Sequence, residues 1–169
     1  MSESISPVDA EAKRALEGAS RIIGEVRYCW LAAEAANGRV NIRPMGRVSP
    51  HPQKTGWTVS FVTDGRSRKA AEIRENGRAT LVFQREGEDA YVALMGAARL
   101  CEDRAEVEAR WSAAYDMYFP TDVDRANAAF IDIAVDRMDL WIRGVTPEPF
   151  GMRTTTLIRD ASGVWTLGR

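Results

Sequence analysis

Short runs of alternating apolar and polar residues recur along this chain, joined by turns more often than by helices. That rhythm restricts it to a mainly antiparallel sheet. Tyr28–Ala33 and Val40–Met45 flank Asn37-Gly38, a pair that tolerates the positive φ of a tight hairpin. The period of two in the second run sends Val40 and Ile42 to one face and Asn41, Arg43 and Met45 to the other. Pro44 cannot donate to a ladder, so this run is expected at a sheet edge or to turn irregular there. Trp57–Thr63, Arg78–Gln84, Tyr91–Cys101 and Phe130–Arg143 bring the strands to six, with Gly96 marking a bulge or bend. Only two strand–helix–strand passages exist, so a doubly wound parallel sheet fits poorly. The expected fold is mainly β (α+β): a six-stranded antiparallel Greek-key barrel with flanking helices.

The flanking elements follow from the other periodicity. Ala12, Leu16, Ala19, Ile22, Ile23 and Val26 share one face of a helix over Asp9–Val26. Ser67–Asn76 forms a second, ended by Asn76-Gly77. A long helix is predicted over Asp103–Met117, broken by Tyr118-Phe119-Pro120, and a short helical piece over Asp122–Ala128. Ser49–Gly56 and Pro147–Met152 read as loops, and Thr154–Ile158 with Val164-Trp165 as a weak final hairpin. At 169 residues the chain is expected to be one domain, 1–169, with a core over about 19–143 and a C-terminal tail, 144–169.

Composition narrows the chemistry. With 45% apolar and 28% charged residues the chain can bury a core, and a net charge of −1 gives no electrostatic ground for nonspecific nucleic-acid binding. No apolar run approaches the roughly 20 residues of a membrane helix, and Met1–Pro7 lacks the apolar centre of a signal peptide. Cys29 and Cys101 lie in apolar strands far apart and read as buried hydrophobes, which suits a cytoplasmic protein. Histidine and cysteine clusters are absent, so no metal site is expected. Neither a Walker A loop nor Gly-x-Gly-x-x-Gly occurs. His51, the only histidine, stands between Pro50 and Pro52 and reads as a solvent-exposed loop residue instead of a base. No residue is singled out as catalytic.

The positive signal is Phe61–Lys69, where an alternating strand ends in a polar turn and a helix opens on Ser67, Arg68 and Lys69. A helix start presents unpaired N–H groups and favours negative charge, so a hydroxyl, a guanidinium and an ammonium there suit a phosphate monoester. Thr63 joins that cluster. Arg43 can reach the same anion if Trp57–Thr63 lies beside its strand as an antiparallel neighbour. The other reading of the same residues is a solvated helix face, with Arg66, Arg68 and Lys69 paired to Glu72 and Glu75. Cations at a helix N-terminus oppose the dipole, which favours the anion site.

Arg43-Pro44-Met45, Phe61-Val62-Thr63-Asp64 and Ser67-Arg68-Lys69, followed by Ile73-Arg74-Glu75-Asn76 and an apolar strand, resemble the pyridoxamine 5′-phosphate oxidase-like family of flavin-binding split β-barrels. Met95-Gly96, Asp103-Arg104, Trp111, Phe119-Pro120 and the Trp141-bearing strand resemble its general stress protein 26 branch, over about Ala19 to Trp141. The resemblance implies a homodimer with FMN at the subunit interface. Arg43, Pro44, Met45 and Gly46 would run beside the isoalloxazine, Val62 and Thr63 under the ring and ribityl chain, and Ser67, Arg68 and Lys69 would hold the phosphate. Trp141 would come from the opposite subunit, the alternative for it and Trp111 being core or dimer contacts. The loop Arg47–Gly56 would cover the flavin face. The tail Gly151–Arg169 lacks the paired Trp and Arg of true pyridoxamine phosphate oxidases, so that reaction is not expected. The implied function is a flavin-dependent oxidoreductase of an unidentified small molecule, with NAD(P)H as a candidate donor and a link to stress. The alternatives are a non-catalytic flavin-binding or sensing protein, and a barrel holding a deazaflavin or haem.

Overall fold

The computed structural model describes residues 7–46 and 48–168. The expectations for the N-terminal six residues and for Arg47 lie outside the described residues. The elements are α1 (Pro7–Glu25), β1 (Cys29–Glu34), β2 (Val40–Met45), β3 (Thr58–Asp64), α2 (Arg68–Asn76), β4 (Arg78–Arg85), β5 (Ala90–Cys101), α3 (Arg104–Ala109), α4 (Asp122–Ala126), β6 (Ala128–Ile142), β7 (Thr155–Arg159) and β8 (Trp165–Leu167). Every strand pair is antiparallel, in the order β2-β1-β4-β5-β6-β7-β8, with β3 on β6. The sheet curls around a core without closing, so the barrel is split. The described residues form eight strands where six were expected in the barrel, because the last hairpin joins the main sheet through β6 and buries Leu157.

The long strand β6 organises the molecule. It pairs along one side with β5, and along the other first with β3 and then with β7. The β5–β6 register shifts between Met95 and Gly96, the bulge expected there. A Cβ on Gly96 would fall 1.9 Å from the Ala134 carbonyl oxygen, so the two backbones approach too closely for a side chain. Leu31, Leu81, Phe83, Leu94, Ile131, Ile133, Met138, Leu140 and Ile142 fill the interior, and α1 adds Ile22 and Ile23 to it. The other face of the sheet is different. Trp30, Val40, Ile42 and Ile158 stand exposed there, with half-buried Val82, Met95, Tyr91 and Trp141 along the same surface.

Three expectations are corrected. β3 pairs with β6 and not with β2, leaving β2 an edge strand held by β1 alone. The helix expected over Asp103–Met117 stops at Ala109; the Ser112 hydroxyl accepts the Ala114 N–H at 3.4 Å and starts a separate 3-10 turn, Ala113–Tyr115. That break lets Trp111 pack edge-on against both Tyr115 and Phe119, over a small second core of Cys101, Val107, Ala128 and Phe130. His51, thirdly, is half-buried: its Nδ1 accepts the Gln53 N–H at 3.2 Å, which makes Nε2 the donor to the Ser20 carbonyl at 3.0 Å. It ties the loop after β2 to α1. Both cysteines are buried and free, and burial pushes the Cys29 thiol up to about 11. Among the described residues no helix is long and apolar enough to cross a membrane.

Candidate functional site

Helix α2 opens where β3 ends, and its start is built by short-range chemistry. Asp64 folds the turn by accepting the Arg66 N–H at 2.8 Å, and the Ser67 N–H donates to the Asp64 carbonyl at 3.0 Å. Ser67 then caps the helix, its hydroxyl accepting the Ala70 N–H at 3.3 Å. Buried Thr63 brings its own hydroxyl to 3.3 Å from that of Ser67. No acidic residue occupies the first turn, so the helix dipole is left uncompensated by the chain at this end.

Three cations follow the turn and they are not equivalent. Arg66 grips Asp64 with two nitrogens, at 2.9 and 2.7 Å, and reaches Asp124 at 3.4 Å. Its hydrogen bond is the main reason the Asp64 carboxyl sits below its ordinary range. Arg68 points outward, with 76% of its side chain exposed and only a loose approach of 3.7 Å to Glu72. Lys69 is half-buried and has no ion-pair partner among the described residues. Burial first, and the neighbouring Arg43 charge second, press its ammonium below the ordinary lysine value. An amine in that state gains from an arriving anion.

Arg43 meets this cluster by a route the strand order did not suggest. The period of two turns Asn41, Arg43 and Met45 away from the exposed face, as expected, and α2 packs against β1 next to that edge. The contact point is Glu72, whose side chain is 4% exposed. It accepts from Arg43 Nη2 at 2.6 Å and from Asn41 Nδ2 at 2.5 Å. Arg43 Nη1 is buried and makes no hydrogen bond among the described residues. A buried guanidinium nitrogen left in this way is costly unless something else accepts from it.

The structure therefore brings together Arg43, Thr63, Ser67 and Lys69, with Arg68 on the rim. It does not bring in the others through their side chains. Pro44 lies on the exposed face opposite Trp30, Met45 packs on the core, and Gly46 follows the strand in the open. Val62 lies on the opposite face of β3 from Thr63, against the second core. Trp141 is far along β6, paired with Tyr91, and within one chain does not approach the start of α2. Glu72 and Asn41 were not among the expected site residues. A signal for Glu72 existed: Lys69, Glu72, Ile73 and Asn76 keep the i, i+3, i+4, i+7 spacing of a helix face turned to the sheet. A groove of about 600 Å³ lies at the other end of α2, around Gly77, Ala33, Met95 and Gly96. Arg43, Arg68 and Lys69 are not among its lining residues, and Lys69 stands eight residues before Gly77, about 12 Å of helix at 1.5 Å each.

Comparison with known proteins adds the following. A sequence model of the family described as "Pyridoxamine 5'-phosphate oxidase like" matches residues 15–148, more than half of the chain. No curated protein matches it significantly. Among solved structures, a Clostridium acetobutylicum protein related to general stress protein 26 superposes with a TM-score of 0.67 at 17% identity, over 87% of this chain and 95% of that one. A pyridoxamine 5′-phosphate oxidase-related, FMN-binding protein of Nostoc punctiforme gives 0.59 at 18% identity, over 98% and 97%. An F420 reductase gives 0.55 at 16% identity, over 72% and 95%. At these identities the likeness is one of fold.

Proposed function

The chain belongs to the pyridoxamine 5′-phosphate oxidase-like family, and on that premise we propose that it binds FMN, with the phosphate at the start of α2, as an oxidoreductase of a small molecule. The observation that carries this reading is Arg43 Nη1, buried and, like the neighbouring Lys69, without a partner among the described residues, beside an uncompensated helix start. A phosphate monoester fits that set. It would accept from Arg43 and Lys69, from the hydroxyls of Ser67 and Thr63, and from the first-turn N–H groups. The backbone of Arg43–Gly46 is available to the flavin's polar edge. When bound, FMN supplies the electron transfer; the residues here bind it, orient it and neutralise its charge. Reduced nicotinamide is the donor we propose.

The partner in this reading is a second copy of the chain. The exposed apolar face of β1, β2 and β7 gives such a copy a surface to bury, and Trp141 lies on that same surface, which supports assigning it to the partner's flavin. Haem finds few axial ligands here: both ring nitrogens of His51 are engaged and both cysteines are buried, which leaves the methionines, Met117 and Met152 being exposed. Titration of the purified protein with FMN, followed by flavin fluorescence, tests the proposal. Saturable binding is expected, weakened in Lys69→Ala by about 2 kcal/mol, roughly thirtyfold. An unaltered dissociation constant in that variant would remove the phosphate from this site.

A further inference from the structure

We infer that Glu72 is a positioning residue for the anion site, aiming the free edge of Arg43 at the phosphate; this rests on the FMN reading above. A buried carboxylate next to a phosphate site is unexpected on charge alone, since it repels the ligand and loses its own hydration. Glu72 nevertheless sits there almost fully buried, with both oxygens in use: Oε2 accepts from Arg43 Nη2 and Oε1 from Asn41 Nδ2. The grip on Arg43 is one-edged. Because guanidinium is planar, fixing Nη2 also constrains the direction of Nη1, the nitrogen without a partner among the described residues. Arg43 belongs to β2, an edge strand with a single neighbour, so no second strand holds it in register. Glu72 supplies that restraint from α2, the same helix that carries Ser67 and Lys69. The two halves of the clamp, one on β2 and one on α2, are thereby locked at a fixed separation.

A purely structural bolt between α2 and β2 would use the same contacts, and binding selectivity separates the two roles. FMN and riboflavin share the ring and ribityl chain and differ by the phosphate, so the ratio of their dissociation constants reads the clamp alone. In Glu72→Gln the carboxamide NH2 turns to Asn41, whose amide can flip to accept it, and Arg43 keeps only a neutral oxygen, so the charge-assisted grip that aims Arg43 is weakened. We expect FMN to bind about tenfold more weakly there, with riboflavin unchanged. In an Arg43→Ala background the same substitution should have no further effect on FMN. Glu72→Asp, still acidic but one methylene shorter, should keep part of the preference and serves if the glutamine variant does not fold. A parallel loss of both ligands, or an FMN loss that persists without Arg43, would show a structural bolt and overturn the inference. An unaltered protein that binds FMN and riboflavin equally would instead sink the phosphate assignment on which it stands.

Discussion

At the scale of residues, the site turns on which cation is free. Arg66 is occupied by Asp64 and Asp124, and Arg68 lies in water, so replacing either by alanine should change FMN affinity by no more than about threefold, within the range of exposed ion pairs. Lys69 should also govern pH dependence. Its ammonium loses its proton below the ordinary lysine range of about 10.4, and a bound phosphate would raise that value. FMN affinity should therefore be full at neutral pH and fall as pH climbs through the lowered Lys69 value. The fall should vanish in Lys69→Arg, whose guanidinium stays charged; titrations from pH 7 to 10 with both proteins check this. Much of this cluster was legible in the sequence. Ser67 and Lys69 stand beside each other at a helix start, and the period of two gave the side to which Arg43 points. The role of Glu72 was not legible, because its burial depends on β2 passing α2, a contact between residues 29 apart.

At the scale of elements, the strand alternation was readable but the neighbours were not. The six predicted strands are present, yet β3 could sit beside β2 or β6 with the same inward set of Val59, Phe61 and Thr63. Pairing with β6 buries that set as well, and local pattern does not distinguish the two. The break after α3 was hidden for a similar reason, since Ser112 caps a turn only once Trp111 has somewhere to pack. Gly96→Ala drives a methyl into the β6 backbone at the bulge and should lower the unfolding free energy by about 3 kcal/mol in urea titrations. Asp132 on β6 is buried and holds the α3 segment through Arg110, at 2.7 and 3.1 Å, while Ser60 donates to it at 2.7 Å. Burial pushes its carboxyl up, but these bonds outweigh that and hold it below the ordinary value. Its contribution is thus complete above the unfolded-state value of about 3.9 and is lost as pH falls through the lower folded one. Asp132→Asn should cost about 2 kcal/mol at pH 7 and flatten the stability loss in acid, seen as thermal midpoints converging below pH 4.

At the scale of the whole molecule, one curled sheet presents two surfaces with different tasks. The inner one is filled by the core, and its edge at β2 and α2 carries the charged cluster. The outer one, around Trp30, Ile42 and Ile158, is apolar and exposed, which is the ground for proposing that a second copy covers it. Ile42→Lys on that face should yield a monomer in sedimentation velocity, with weakened FMN binding if the flavin lies between subunits. This surface was only half legible beforehand: Val40 and Ile42 were readable as facing away from Arg43, but that they remain uncovered depends on the strand order. In the function proposed above, the start of α2, with Arg43 across from it, recognises a phosphate on a flavin. The most direct measurement is the ratio of riboflavin to FMN dissociation constants for the unaltered protein. Two charge-assisted contacts predict a preference for FMN of about a hundredfold or more; a ratio near one, or no flavin binding at all, would contradict it.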